Sequence, residues 1–231
     1  MMTMRTTMIM MMNMKRMKTR MKAMTTAAIK TPFQRNFTQA FLVLFLLAQI
    51  VCPRAVRADT SLKYYDDINP SHDFILTDQD GNKFQLKDHR GQVILLFFGY
   101  LSCPDICPVT MSKISRVYQL LSAQEKEKVL TVFISVDGDR DTPEKIKEYL
   151  DYFEMDAVGL TGNPLIVDEV VADYKAWYEK VGVESALGYL IDHTTYVYLI
   201  DGDGNVRALF HPEDKVPDMA GAVKQVLKGK K

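Results

Sequence analysis

The chain has 231 residues, with 29 basic and 29 acidic side chains and 47% apolar residues, the composition of an ordinary globular protein. The charge is unevenly distributed, because residues 1–58 contain ten basic side chains and no acidic one. A segment of about +10 therefore precedes a region of about −10, which is typical of a targeting segment followed by an acidic folded domain. This acidic balance argues against a nucleic-acid-binding protein.

The first 58 residues have the features of an export leader or membrane anchor. Residues 1–24 contain eleven of the 14 methionines in no regular period, and we interpret them as a basic extension rather than a thioether site for Cu(I). Residues 40–52 form an apolar run shorter than the roughly 20 residues that span a bilayer. We expect export with cleavage after Ala58, and an uncleaved anchor is the alternative. Lipidation of Cys52 is disfavoured, because the bulky Val51 precedes it.

Residues 59–231 are predicted to form a single α/β domain. Loops rich in turn-forming residues at 78–82 and 201–205 separate short strand patterns and predict two β-hairpins. Residues 93–100 and 129–136 are continuous apolar runs, which are typical of strands covered by helices on both faces. No internal repeat or low-complexity linker divides this part of the sequence.

The helical patterns complete the predicted fold. A helix is expected to begin at Pro108, and Thr142 is expected to cap the next one. After Pro164 an apolar stripe at helical spacing extends to Val181, and residues 216–227 predict a closing helix. This order of elements predicts a thioredoxin-like α/β sandwich, in which a mixed central sheet carries helices on both faces and an N-terminal β-hairpin.

Cys103 and Cys107 lie directly after the first buried strand, where open α/β sheets bind their ligands. We expect both sulfurs to face the N-terminus of the following helix, whose partial positive charge favours the thiolates that attack disulfides and bind metals. A structural disulfide is the ordinary alternative in an exported protein. A ring closed over three intervening residues, however, removes little chain entropy. Two thiolates make an incomplete metal site, so a third ligand is needed.

His193 is the candidate third ligand among four histidines. It precedes a predicted strand, at a place where the thioredoxin fold brings a loop against the cysteine turn. A lone histidine at such a place is more often a structural residue, so both interpretations stay open from the residues alone. Two sulfurs and one imidazole would suit Cu(I), and an added oxygen ligand or water could allow Cu(II). The other three are interpreted as surface residues: His72, His89 and His211.

Asp137 ends the second buried strand, so its carboxylate is expected at the same edge of the sheet as the cysteine loop. It is either a capping or turn residue, or a weak oxygen ligand or neighbouring group that tunes the metal and the acidity of the thiols. Asp192 is interpreted as a solvated side chain. Arg140 and Asp141 are predicted to form a local ion pair at a helix start.

Four blocks of this sequence, in the same order along the chain, resemble the Sco/SenC family of copper-handling factors. The similarity covers about residues 70–228, and the blocks are residues 99–108, 136–143, 159–162 and 192–200. The resemblance implies that Cys103, Cys107 and His193 are ligands of one copper ion per chain, as Cu(I), Cu(II) or both.

The resemblance also implies a function. It predicts a copper metallochaperone that delivers copper to the binuclear copper site of cytochrome c oxidase subunit II, or to another apo copper-site protein. The alternative is a thiol-disulfide reductase that uses Cys103 and Cys107 as its redox pair, keeps the target's cysteines reduced and is itself reduced by a thioredoxin-like protein. We expect the domain to be periplasmic or tethered to the outer face of the inner membrane.

Overall fold

A computed structural model describes Ile68, residues 73–182, Glu184 and residues 188–229. The predictions for residues 1–58 lie outside the described residues and stay predictions, and so does the interpretation of His72. No helix within the described ranges is long and apolar enough to cross a membrane.

Nine strands form two sheets in this part of the chain. The larger sheet is built from β1 (Ile75–Asp78), β2 (Lys83–Gln85), β3 (Val93–Gly99), β4 (Val129–Ser135), β5 (Ala157–Thr161), β8 (Val197–Ile200) and β9 (Val206–Phe210). Its spatial order is β2-β1-β5-β4-β3-β8-β9. The smaller sheet is an antiparallel hairpin of β6 (Tyr178–Gly182) and β7 (Tyr189–His193).

The larger sheet is mixed. Strands β3, β4 and β5 run parallel, with Phe97 opposite Phe133 and Gly99 opposite Ser135. Strands β1 and β8 join this parallel centre in antiparallel orientation. Every residue of β3 and β4 is buried, so these two strands form the centre of the sheet, and the loops that follow them lie next to each other at one edge.

The helices are α1 (Ile106–Gln119), the short α2 (Ala123–Lys126), α3 (Pro143–Leu150), α4 (Pro164–Asp173) and α5 (Val216–Leu227), and a 3-10 turn covers Leu86–His89. Thr142 caps α3 as predicted, because its hydroxyl accepts a hydrogen bond from the amide of Lys145. Pro143 occupies the first helical position, where its missing N–H costs nothing.

Helices cover both faces of the central sheet. Phe97 and Phe98 are consecutive in β3, so their side chains point to opposite faces. On the first face Phe97 contacts Phe133, which contacts Tyr149 of α3. On the second face Phe98 meets the ring of Tyr174, the residue at the C-terminal end of α4. The central sheet is thus sandwiched between helices, as the sequence predicted.

Two predicted helix boundaries are wrong. Helix α1 begins at Ile106 instead of Pro108, so Cys107 lies inside the first turn rather than before it. Helix α4 ends at Asp173 and does not extend to Val181. Lys175 takes a left-handed φ of 53°, and this conformation ends the helix.

Besides the short α2 and the 3-10 turn, two structural elements were missed by the sequence analysis. One is the β6–β7 hairpin, whose first strand was assigned to the helical stripe. The other is β5, a short strand interrupted by Gly159. A Cβ atom at Gly159 would lie 2.1 Å from Cγ2 of Ile146 and 2.7 Å from Cδ1 of Leu150. The glycine, which weakens the strand pattern, is therefore what allows α3 to pack directly on β5.

Candidate metal site

The cysteine loop connects β3 to α1. Cys103 is half-buried in the loop, whereas Cys107 is fully buried in the first turn of α1. A Cβ atom at Gly99, the last residue of β3, would lie 3.0 Å from Sγ of Cys107. The absence of a side chain at Gly99 therefore lets the Cys107 sulfur lie against the end of the strand.

The two thiols have opposite acidities. Hydrogen bonding from the Cys107 thiol lowers the pKa of Cys103 to about 3, and further hydrogen bonds from His193 and from the amides of Asp105 and Cys107 act in the same direction. The same thiol–thiolate hydrogen bond, together with burial, raises the pKa of Cys107. The pair therefore holds one proton, with the negative charge on the more exposed sulfur, Cys103.

His193 is the last residue of β7 and is buried beside the cysteines. Its Nε2 lies 3.3 Å from Sγ of Cys107, and its Nδ1 lies 2.8 Å from the carbonyl oxygen of Thr194. Since a carbonyl can only accept, Nδ1 donates to Thr194, and Nε2 is the ring nitrogen that faces the sulfur. The ring is packed edge-on against Phe97 and Tyr100, which fixes its orientation.

The three residues predicted as ligands come together. Sγ of Cys103, Sγ of Cys107 and one ring nitrogen of His193 all lie within 4.8 Å of one another. In the described part of the chain, this is the group of three histidine, cysteine or acidic side chains close enough to share an ion. Two soft sulfurs and an imidazole nitrogen are the donor set that Cu(I) prefers over hard oxygen ligands.

Asp137 lies apart from this group of three and binds other partners. It is completely buried, and its carboxylate accepts hydrogen bonds from the hydroxyl of Tyr189, at 2.6 Å, and from Nε of Arg140. The prediction that Arg140 pairs with Asp141 is therefore wrong, because the salt bridge is made to Asp137. Asp137 is connected to His193 through the hairpin, since Tyr189 is the first residue of the strand that ends at His193.

Asp141 and Tyr100 support the site, and the sequence analysis assigned neither to it. The buried carboxylate of Asp141 accepts hydrogen bonds from the amide of Leu101, at 3.0 Å, and from the hydroxyl of Ser135, at 2.7 Å. It thereby ties the start of the cysteine loop to the end of β4. The Tyr100 hydroxyl accepts a hydrogen bond of 3.2 Å from the amide of Ile191 in β7. The available sequence pattern was the position of Asp141 directly after Arg140, at the start of a predicted helix.

The remaining polar residues near the motifs lie elsewhere. His89 stacks on Phe84 at a centroid distance of 4.5 Å, and His211 is exposed beside Tyr196. Asp192 is exposed, as predicted.

Comparison with known proteins finds relatives that match most of the chain. The SCO1/SenC family profile matches residues 64–228. A SCO2-like protein of Rickettsia conorii is 35% identical over 177 residues, which cover 76% of this chain and 86% of that protein.

Solved structures show the same fold. The copper-bound structure of Bradyrhizobium japonicum ScoI is 36% identical, has a TM-score of 0.62, and is matched over 68% of this chain and 98% of that chain. BsSco, described as having a disulfide switch and as a member of the Sco family of cytochrome c oxidase assembly proteins, matches in fold with 22% identity and a TM-score of 0.57, over 72% of this chain and 96% of that one. The fold is thioredoxin-like, as predicted. From the profile match and the Rickettsia relative together, the chain belongs to the SCO1/SenC family.

Proposed function

We propose that this protein is a copper metallochaperone, in which Cys103, Cys107 and His193 hold one copper ion. The acceptor is the apo binuclear copper site of cytochrome c oxidase subunit II. Membership of the SCO1/SenC family supports a copper-handling or redox role in oxidase assembly. The observation that carries the ligand assignment is the convergence of two sulfurs and one imidazole nitrogen within 4.8 Å.

The chemistry of the donors favours copper. Thiolates are soft ligands that select Cu(I), and an imidazole completes a three-coordinate set. Cys103 is already a thiolate at neutral pH, so it can bind the incoming ion first. Binding then competes with the proton that Cys107 holds, and the loss of this proton provides the second thiolate. An additional oxygen ligand or water would complete a site for Cu(II).

Delivery proceeds by ligand exchange. A three-coordinate ion leaves room for a ligand of the acceptor to bind before a chaperone ligand leaves. Cys103 is half-buried whereas Cys107 and His193 are buried, so an acceptor sulfur reaches the ion from the Cys103 side. Oxidation of the two thiols to a disulfide would remove both sulfur ligands and release the metal, and a thioredoxin-like reductant would restore them.

The location of the protein is part of the proposal. We infer that the acidic domain acts outside the cytoplasm, in the periplasm or tethered to the outer face of the inner membrane. The basic leader and the apolar run at residues 40–52 support export. A SCO1/SenC family lipoprotein of Bacillus anthracis is among the proteins that share the fold.

The ligand assignment is tested with His193→Ala in the reduced protein. We expect its affinity for Cu(I), measured by competition with a chelator of known affinity, to fall at least about tenfold, since one of three ligands is lost. His211→Ala is the matched control, because it removes the same side chain from an exposed position and should leave the affinity unchanged. Equal copper affinity of the His193→Ala variant and the wild type would refute the three-ligand site.

A thiol-disulfide reductase is the second candidate function. It is favoured by the low pKa of Cys103, because a partly exposed thiolate beside a second thiol is suited to attack a disulfide. A reductase has no need for His193 as a ligand. If the His193→Ala variant still reduces the disulfide of oxidised subunit II but no longer transfers copper to it, both activities belong to this protein. If the wild type reduces the disulfide but transfers no copper, the protein is a reductase and not a metallochaperone.

A further inference from the structure

The strand that carries His193 is not part of the central sheet. Within the described residues, β7 pairs along its length with β6, and these two strands form a sheet of their own. The cysteines, in contrast, follow β3, a strand of the central sheet that is buried along its whole length. The backbone ladder of the central sheet reaches His193 only through the short connection to β8, so contacts between the hairpin and the body of the domain also set the distance between His193 and the cysteines.

Those contacts lie on one face of β7. Tyr189, Ile191 and His193 alternate along the strand and point to the same side. Ile191 and His193 are buried, while Asp192 between them is exposed. Tyr189 begins this row, roughly 13 Å from His193 at the rise of an extended strand. A contact that holds Tyr189 therefore controls the end of the strand opposite to the imidazole.

Asp137 and Arg140 hold Tyr189 in place, and we call these three residues the clamp. The Tyr189 hydroxyl donates to Asp137 Oδ1 at 2.6 Å, and the Arg140 guanidinium lies 3.7 Å from the centre of the Tyr189 ring. The NH1 group of Arg140 also donates to the carbonyl oxygen of Tyr189 at 3.0 Å. The clamp thus grips the hydroxyl, the ring and the backbone of a single residue.

Burial makes the hydrogen bond between Tyr189 and Asp137 stronger than the other hydrogen bonds that join side chains of the hairpin to the body of the domain. Asp137 is completely buried, and hydrogen bonds to a desolvated carboxylate are among the strong ones in proteins. The bond from Lys180 to Asp139 joins two exposed side chains, and such pairs contribute little. The bond from Tyr178 to Asp168 is also exposed. Of the hydrogen bonds between side chains, the one from Tyr189 to Asp137 is therefore the most able to resist separation of the hairpin from the body, and the buried bond from the Ile191 amide to Tyr100 acts beside it.

We propose that the clamp is a positioning device for the metal site, in which Asp137 and Arg140 hold Tyr189 so that His193 stays beside Cys107. The proposal rests on the proposed function in so far as it assigns His193 to copper. It gives Asp137 a role distinct from ligation, since both of its partners belong to the clamp. Tyr189 and Arg140 are not ligands, but they slow the dissociation of copper.

The test uses Tyr189→Phe in the full chain, which removes the hydroxyl and keeps the ring under Arg140. In the reduced, metal-free protein, we expect hydrogen exchange of the Ile191 amide to become about tenfold faster, because this amide donates to Tyr100 across the boundary between hairpin and body. The dissociation of Cu(I) into excess chelator should accelerate by a similar factor. Amides of β4 should exchange at the wild-type rate.

Tyr152→Phe is the matched control, because it also removes a tyrosine hydroxyl. Tyr152 lies two residues after the end of α3, and its side chain is 81% exposed. Its rate of hydrogen exchange at the Ile191 amide and its rate of Cu(I) dissociation should both equal those of the wild type. Asp137→Asn, which keeps the size of the side chain but removes its charge, should reproduce the effect of Tyr189→Phe.

Two results would overturn the proposal. Wild-type exchange at Ile191 in Tyr189→Phe would show that the clamp does not hold the hairpin. Faster exchange with unchanged copper dissociation would show that the position of the hairpin does not determine how copper is held. A wild-type chain that takes up no Cu(I) would refute the proposed function instead, and the exchange rates would still decide whether the clamp holds the hairpin.

Discussion

Sγ of Cys107 lies 3.3 Å from Nε2 of His193, although the two residues are 86 positions apart in the chain. The contact joins the first turn of α1 to the last residue of a hairpin outside the central sheet. Neither residue alone makes a metal site. Their proximity to each other, and to Cys103, is what makes one group of donors from distant parts of the chain.

The acidity of Cys103 leads to a prediction about alkylation. Because its pKa is lowered to about 3, Cys103 should be a thiolate and react with iodoacetamide throughout the range from about pH 4 to 8. Cys107 should stay protonated and unreactive in this range, since its pKa is raised and its sulfur is buried. Mass spectrometry of the alkylated peptides distinguishes the two sites. Faster labelling of Cys107 than of Cys103 at pH 6 would contradict the assignment.

The same acidity makes stability depend on pH. The pKa of Cys103 is lower in the folded protein than the value of about 8.5 for an unfolded thiol. Ionisation of Cys103 therefore stabilises the fold fully above pH 8.5, and this contribution is lost as the pH falls toward 3. We expect the free energy of unfolding of the reduced wild type to rise with pH between about 4 and 8 relative to that of Cys103→Ala. Parallel curves for the two proteins would contradict this prediction.

Gly99→Ala should disturb the metal site through packing. The added methyl would lie 2.9 Å from ring atoms of Phe97 and Phe133 and 3.0 Å from Sγ of Cys107. We expect a loss of about 1–3 kcal/mol of stability from overpacking, together with weaker binding of Cu(I) because Cys107 is displaced. Urea unfolding and chelator competition measure the two effects.

Gly221→Ala is the matched control for this substitution. Gly221 lies within α5, and a Cβ atom there would meet no atom within 4 Å. Alanine at this helical position should stabilise the protein by about 0.5–1 kcal/mol without changing copper affinity. If Gly99→Ala behaved as Gly221→Ala does, the close approach of Cys107 to the end of β3 would not constrain the site.

Asp141→Ala should loosen the cysteine loop. The amide of Leu101 and the hydroxyl of Ser135 would lose their common acceptor, and we expect a loss of about 1–3 kcal/mol of stability. Asp141→Asn retains an acceptor oxygen and should lose less. Burial raises the pKa of Asp141, so the favourable contribution of its neutral form is present at low pH and is lost as the pH rises through its folded pKa.

The comparison of the two Asp141 variants is made by urea unfolding at neutral pH and again near pH 4. The stability of Asp141→Asn relative to that of the wild type should increase as the pH rises, because the amide carries no charge to bury. Equal stability of the alanine and asparagine variants would show that the hydrogen bonds to Leu101 and Ser135 contribute nothing.

Much of the fold was predictable because its signals are local. Strand β3 is recognisable as an unbroken apolar run and β4 as a run interrupted only by Thr131 before its last residue, Ser135, since each strand is covered on both faces. The hairpins at residues 78–82 and 201–205 follow from turn residues, and Asp78 and Asp201 each accept the amides two and four positions later. Thr142 was identified as a cap from its own chemistry.

The errors arose where distant packing overrides local pattern. Tyr178 and Val181 continue the apolar spacing of α4, yet they lie in β6, because the chain turns at Lys175 and pairs with β7. Gly159 looks like a break in the sequence, but it is the point at which α3 meets β5. In both places the structure is set by contact with a segment that lies too far away in the sequence for the local pattern to show it.

By itself, the sequence determined the candidate donors and their chemistry: two cysteines after a buried strand, one histidine before a later strand, and an acidic region that follows a basic N-terminal segment. Only the tertiary structure decided that the three donors meet within 4.8 Å, that Cys107 keeps its proton while Cys103 gives its proton up, and that Asp137 holds Tyr189. The physical reason is that residue type and local propensity fix what a side chain can do. Distance, burial and the charges around it, which set its pKa and its partners, come from segments brought together only by folding.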